Sequence, residues 1–183
     1  MQKKNLVAIS KYLSKHLRHQ PERLGLNLEP GGWVGVDDLL AACERNNFPV
    51  SREELERVVA ENDKQRFSFD TAKKKIRANQ GHSVEIDLQL EAKTPPVVLY
   101  HGTSEQNVEA IWRHGLLKMR RHHVHLSADK ETALKVGARH GRPTIFVIDT
   151  PRMLEHNFEF FVSANNVWLT ETVPPQFLSL ITE

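Results

Sequence analysis

Apolar side chains recur at Leu6, Ile9, Leu13 and Leu17 with lysines on the other side, and this spacing predicts an amphipathic helix over residues 5–19. Arg18 and His19 fall at its end, and Pro21 stops it. Pro30, Gly31 and Gly32 make a turn ahead of residues 33–36. Asp37 and Asp38 then cap and charge the start of a helix to about Arg45. Ser51 and Glu54 have the spacing of a capping box, opening a third helix through Leu55, Val58 and Val59. Residues 66–70 and 75–79 alternate apolar and polar across a basic turn, which reads as a β-hairpin. Three helices and a hairpin are the content of a winged-helix unit, placed at residues 1–92.

Thr94, Pro95 and Pro96 mark a linker or domain seam, and the pattern changes beyond it. Residues 97–100 read as a buried strand, and Ser104 as the cap of a helix to about Arg113. A strand over residues 123–127, a helix over 129–139 and a strand over 144–148 follow. Further strands are expected at 160–163, 167–170 and 177–181. This half, residues 93–183, is α+β with a mostly antiparallel sheet. Within it, Arg121, His123, His125 and Ser127 alternate with apolar neighbours. On a strand they would share one face, while Val124 and Leu126 face a core. One cation and several donors on a rigid face suit a phosphorylated ligand.

Composition narrows this only modestly. The hydrophobic share of 39% and charged share of 26% are those of an ordinary soluble globular chain. A formal charge of +2 neither demands nor excludes nucleic acid, so phosphate binding has to come from local clusters. Cys43 is the only cysteine, which excludes an internal disulfide and a multi-cysteine zinc site. No signal-peptide pattern opens the chain and no run approaches transmembrane length, so a cytoplasmic protein without a membrane partner is expected.

The candidate chemistry lies in histidines and arginines. His101, Gly102 and Thr103 stand at the end of the expected strand, where a glycine permits close backbone approach to a ligand. The same triplet also reads as a plain strand-to-helix turn. Seven of the ten histidines follow residue 100. His123 and His125 have strand spacing suited to a metal, with His101 as a third ligand. The surrounding arginines would repel a cation, so hydrogen bonding to a ligand is the favoured reading and no metal is expected. Arg18 and His19 complement a helix dipole, and Arg66 is accounted for as a solvent-facing hairpin residue. Lys73, Lys74 and Lys75 read as a solvated turn. Glycine-rich nucleotide fingerprints are absent. Taken together, the clusters suggest a phosphate site assembled from both halves.

Six blocks occur in order: Leu13-Ser-Lys-His-Leu-Arg-His19, Asp63-Lys-Gln-Arg-Phe67, Ile76-Arg-Ala-Asn-Gln-Gly-His-Ser83, Tyr100-His-Gly-Thr103, His123-Val-His-Leu-Ser-Ala-Asp129 and Lys135-Val-Gly-Ala-Arg-His-Gly141. Together they resemble the NAD-dependent RNA 2′-phosphotransferase family, enzymes that remove the splice-junction 2′-phosphate from tRNA. The resemblance covers nearly the whole chain. It implies an N-terminal winged-helix lobe and a C-terminal lobe of the ADP-ribosyltransferase fold. It also implies a reaction in two steps. The RNA 2′-phosphate attacks the anomeric carbon of the nicotinamide ribose and expels nicotinamide. The ribose 2″-hydroxyl then attacks the bridging phosphodiester, releasing 2′-OH RNA and ADP-ribose 1″,2″-cyclic phosphate.

The family's catalytic Arg-His-Arg-Arg set corresponds to Arg18, His19, Arg66 and Arg121. Guanidiniums stay charged and grip phosphate oxygens bidentately. An imidazole titrates near neutrality, so His19 is expected to donate a proton to the departing RNA 2′-oxygen. The wider fold is read through three positions, often His-Tyr-Glu, that correspond here to His101, His125 and Val167. With Gly102, Thr103, Ser127 and Arg139 they form the expected NAD+-binding set. A phosphate acceptor already bears charge and needs no base, which suits Val167 in place of a glutamate. The chain departs from the family at Asn165-Asn166, where Asn-Gly is common; asparagine tolerates the left-handed backbone nearly as well. RNA bearing an internal 2′-phosphate and NAD+ are the expected partners, with no obligate protein partner evident.

Two rival readings differ in what they demand. An ADP-ribosyltransferase acting on protein or on a nucleic-acid terminal phosphate would share the NAD+ site and differ in its acceptor. A winged-helix DNA-binding regulator would need a basic recognition helix. Residues 51–62 instead carry Glu53, Glu54, Glu56 and Glu61, which repel DNA.

Overall fold

The structure, a computed structural model, describes residues 6–62 and 64–181. Asn5, at the head of the first expected helix, and Asp63, within the second motif block, lie outside the described residues. The chain divides into two compact units, one ending at Gln89 and the other starting at Leu90, so the division comes before the seam expected at residues 94–96. Helix and antiparallel sheet are mixed in both, an α+β architecture.

The first unit is built on helix α1 (Leu6–Arg18), whose Ile9, Leu13 and Leu17 are fully buried. Full burial of three side chains at helical spacing is what holds this helix in place, because isolated helices of this length are marginal. It ends where Pro21 opens a short 3₁₀ turn, and the His19 and Gln20 amides both return to the Lys15 carbonyl at 3.1 Å. Strand β1 (Trp33–Gly35) leads into α2 (Val36–Arg45), and α3 (Arg52–Ala60) follows. The capping box is present: Ser51 Oγ accepts from the Glu54 amide at 3.1 Å, and the Ser51 amide donates to Glu54 at 2.9 Å. The expected cap of α2 is corrected. Gly35 is its N-cap, and Asp37 and Asp38 are the second and third residues of the helix, where they complement the dipole without capping. Strands β2 (Phe67–Phe69) and β3 (Lys75–Ala78) form the hairpin, and β1 joins it in the antiparallel order β1-β3-β2. Leu13, Leu39, Leu55 and Ile76 meet in one core.

In the second unit, β4 (Val98–Ser104) runs well past the expected end of the strand, carrying His101, Gly102 and Thr103 within it. The reason is non-local. All seven residues pair antiparallel with β7 (Pro143–Asp149), and backbone pairing on this scale overrides the turn propensity of a His-Gly-Thr triplet. Ser104 makes no side-chain cap; a 3₁₀ turn intervenes before α4 (Val108–His114). After β5 (Leu116–Leu117) comes β6 (Val124–Leu126), with Val124 and Leu126 buried as the alternation predicts. Arg121 and His123, however, lie ahead of the strand, so the four polar side chains do not share one strand face. The chain turns there through Met119 at φ 54°, with the Arg121 amide donating to the Lys118 carbonyl at 3.0 Å.

Helix α5 (Lys130–Gly137) is capped by Asp129, which accepts from the Thr132 amide at 2.7 Å. Helix α6 (Thr150–Glu155), unsignalled by periodicity, is capped in the same way by Asp149. Strands β8 (Phe161–Val162), β9 (Trp168–Thr170), β10 (Thr172–Val173) and β11 (Leu178–Leu180) complete the unit. The sheets run β11-β7-β4, β6-β9-β8 and β10-β5. A bridge between Tyr100 and Ser127, with amide-to-carbonyl distances of 2.9 and 2.8 Å, ties β4 to the end of β6. Leu99, Phe146, Ile148 and Phe160 lie in this unit's core. No helix among the described residues is long and apolar enough to cross a membrane.

Candidate functional site

Three of the four residues expected to be catalytic are brought together in the first unit. Arg18 and His19 at the end of α1 and Arg66 just before β2 line one groove of about 600 Å³ between α1 and the α3–β2 region. Each is held by a neighbour that periodicity did not single out. Ser83 is the first. Its amide donates to the Arg18 carbonyl at 2.9 Å, and its Oγ lies 2.8 Å from His19 Nδ1. A hydroxyl both donates and accepts, so it serves the neutral ring and the protonated ring equally well. Asn62 is the second. Its Oδ1 accepts from Arg66 Nη1 at 3.0 Å and from the Lys64 amide at 3.1 Å, while its Nδ2 donates to Ser10 on α1 at 2.9 Å. Only the motif block ending at Ser83 pointed to the first of these residues; nothing in the pattern pointed to Asn62.

In the second unit, the histidines are fixed differently. His101 Nδ1 lies 3.0 Å from the His125 carbonyl, which can only accept, so Nδ1 carries the proton and a neutral ring presents Nε2 as an acceptor. Burial pushes His101 below its ordinary value, and the Arg121 charge adds to this, against the opposing hydrogen bond to the His125 carbonyl. Arg121 Nη1 lies 2.8 Å from His125 Nδ1. A guanidinium can only donate, so His125 Nδ1 is the acceptor and its Nε2 carries the proton. The two rings therefore present opposite capabilities, an acceptor at His101 and a donor at His125. His123 stands apart, packed on Phe161 with ring centroids 5.5 Å apart. Burial pushes its imidazole down as well, with His122 and Lys118 adding to this.

The other expected residues lie in the same unit. Gly102 has a packing reason to be glycine. A Cβ there would stand 1.6 Å from the Ala133 carbonyl of α5, and one on Gly137 would stand 2.6 Å from the Thr103 carbonyl. The two glycines let α5 press directly against β4. Thr103 is buried, and its Oγ1 accepts from Asn107 at 3.2 Å. Ser127 is the bridge partner of Tyr100. Val167 precedes β9 in a tight loop, its amide donating to Ser163 Oγ at 3.1 Å. In that loop Asn166 adopts φ 57°, the left-handed backbone expected of it. Arg139 is exposed in the 3₁₀ turn after α5. Among the described residues no three His, Cys, Asp or Glu side chains are grouped as a metal site would require.

The first unit thus sets two arginines beside a histidine on one groove, and the second presents two neutral imidazoles of opposite hydrogen-bonding polarity. Residues 4–172 match the model of the RNA 2′-phosphotransferase, Tpt1 / KptA family. The chain is 60% identical to a probable RNA 2′-phosphotransferase of Trichormus variabilis, across 99% of this chain and 100% of that one. Its identity is 56% to the protein of that name from Herpetosiphon aurantiacus, covering 98% and 99% of the two chains. It is 53% to the one from Streptomyces coelicolor, covering 97% of each. The chain belongs to the RNA 2′-phosphotransferase, Tpt1 / KptA family.

Proposed function

We propose that this protein is an NAD+-dependent RNA 2′-phosphotransferase. It removes an internal 2′-phosphate from RNA, of the kind left at a tRNA splice junction. The products are nicotinamide, 2′-OH RNA and ADP-ribose 1″,2″-cyclic phosphate. The observation that carries this reading is the grouping of Arg18, His19 and Arg66 on one groove, in a chain whose family is named for this activity. The first lobe, residues 1–92, is of winged-helix type, and the second, residues 93–183, is of ADP-ribosyltransferase type.

Arg18 and Arg66 neutralise and orient the phosphate dianion, and Arg121 is the fourth member of the set that the resemblance assigns to the same phosphate. As the phosphodiester is attacked, the same cations stabilise the charge that develops. His19 donates a proton to the RNA 2′-oxygen as it departs, and Ser83 keeps the ring oriented through that change. NAD+, when bound, supplies an activated anomeric carbon. His101 and His125 would hold its nicotinamide ribose, whose hydroxyls both donate and accept and so match the opposite polarities of the two rings. Gly102, Thr103, Ser127, Arg139 and Val167 complete the NAD+ pocket. The apolar Val167 leaves no general base there, which suits an acceptor that is already charged.

The test is incubation of the protein with an oligonucleotide bearing one internal 2′-phosphate, with and without NAD+. Phosphate removal that requires NAD+ and yields the cyclic phosphate is expected. ADP-ribose left on RNA or on protein as the end product would favour an ADP-ribosyltransferase instead.

A further inference from the structure

Helix α1 differs from every other α-helix described here: it contains no carboxylate. On other helices several exposed cations are paired one turn away, as in Arg52 with Glu56 at 3.3 Å, Arg57 with Glu61 at 2.9 Å, and Lys135 with Glu131. Lys11 and Lys15 on α1 are exposed and form no ion pair among the described residues. At 100° per residue, Lys11, Lys15 and Arg18 fall on one face of the helix. That face lines the groove already described, with Lys64 and Arg66 opposite. Among the described residues the only carboxylate in its lining is Glu61, which is bound to Arg57. Lys11 stands about 10 Å along the axis from Arg18, too far to share one phosphate with it.

We propose that the Lys11 and Lys15 face of α1 holds the sugar-phosphate backbone of the RNA strand flanking the 2′-phosphorylated nucleotide. The proposal rests on the reading of Arg18, His19 and Arg66 as the 2′-phosphate site. A strand whose 2′-phosphate is gripped there carries further phosphates on either side, and the exposed cations Lys15 and Lys11, continuing from Arg18 along the same face, complement them. The first turn of α3, with Glu53 and Glu54, would repel the same strand. The protein is thus a reader of RNA backbone along α1 and not along α3.

The test compares the full chain with the double variant Lys11→Ala, Lys15→Ala on two substrates at saturating NAD+. One is a dinucleotide bearing the 2′-phosphate; the other is a twelve-nucleotide RNA with the same internal group. The double variant should raise KM on the order of tenfold more for the long RNA than for the dinucleotide, and lower the log–log salt slope by about 1.4 for two lost phosphate contacts. Alanine favours helix at both exposed positions, and a Lys11→Gln, Lys15→Gln pair should behave alike. Equal losses on the two substrates, or none on either, would overturn the proposal. If the unaltered protein turns over neither RNA, the functional reading fails. Binding of the unphosphorylated twelve-nucleotide RNA, followed by fluorescence anisotropy, then decides the groove alone: unchanged affinity in the double variant overturns it, and a loss of similar size upholds it.

Discussion

His19 of the first unit leans on a hydroxyl, whereas His101 and His125 of the second lean on groups with a single hydrogen-bonding role. His19 meets Ser83 Oγ at 2.8 Å, a partner that accommodates the ring in either protonation state. His101 meets a carbonyl at 3.0 Å and His125 a guanidinium at 2.8 Å, which together set opposite tautomers. The contrast follows the work proposed for each. A group that moves a proton needs a partner indifferent to its state, while groups that orient a neutral ligand are best held in one state. The supporting structure differs in the same way. The first unit places its cations at a helix end and a turn, held by side-chain straps from Ser83 and Asn62. The second builds its pair into paired strands with a helix pressed against them.

The largest expected effect tests the proton-moving half of this contrast. His19→Ala should slow the overall reaction about a thousandfold and leave ADP-ribosylated RNA accumulating, read by gel or mass spectrometry. An unimpaired second step would end the assignment of His19 as the acid. Gly102→Ala tests the rigid half. With the Ala133 carbonyl 1.6 Å from the new Cβ, backbone has to move, and about 3 kcal/mol of stability should be lost in urea unfolding. A loss below about 1 kcal/mol would mean that α5 yields easily and β4 is not rigidly clamped.

Ser83→Ala should lower kcat about tenfold, the value of one hydrogen bond in the transition state, with KM and the pH profile little changed, because the hydroxyl serves both states of the ring. Ser83→Thr, which keeps the hydroxyl, should recover most of the rate. A fall in stability with kcat unchanged would reduce Ser83 to a structural residue.

The smallest effect concerns pH. His101 and His123 both sit below their ordinary value of 6.5 in the folded chain. Between those lowered values and 6.5 the unfolded chain binds protons that the folded chain does not. Stability should therefore be fully present above 6.5 and decline as pH falls through that window, in denaturant titrations. His101→Gln should flatten the decline without abolishing it, since His123 remains. An unchanged slope would show that His101 is not held neutral by its surroundings.

Much of this was legible in the residues themselves. The burial of Ile9, Leu13 and Leu17, the capping box at Ser51 and Glu54, the hairpin, and the inward pair Val124 and Leu126 all follow from local spacing. So does the stop at Pro21. These features depend on interactions within a few residues, or on a binary choice of which face is buried, and spacing encodes both. The six ordered motif blocks likewise sufficed for the family.

Other features depend on partners far along the chain. β4 extends to Ser104 because β7 pairs with it, and Gly102 and Gly137 are glycines because α5 and β4 press together there. Arg121 lies before the strand, yet its guanidinium turns back onto His125 and selects that ring's tautomer. Ser83 reaches His19 from 64 residues away, and Asn62 links Arg66 to α1. Sequence alone determined the family, and with it the residues proposed to carry the chemistry. Tertiary structure decided the partner each one meets, and therefore whether an imidazole is free to change its protonation state or held in one, because a hydrogen-bonding role is set by the group across the bond.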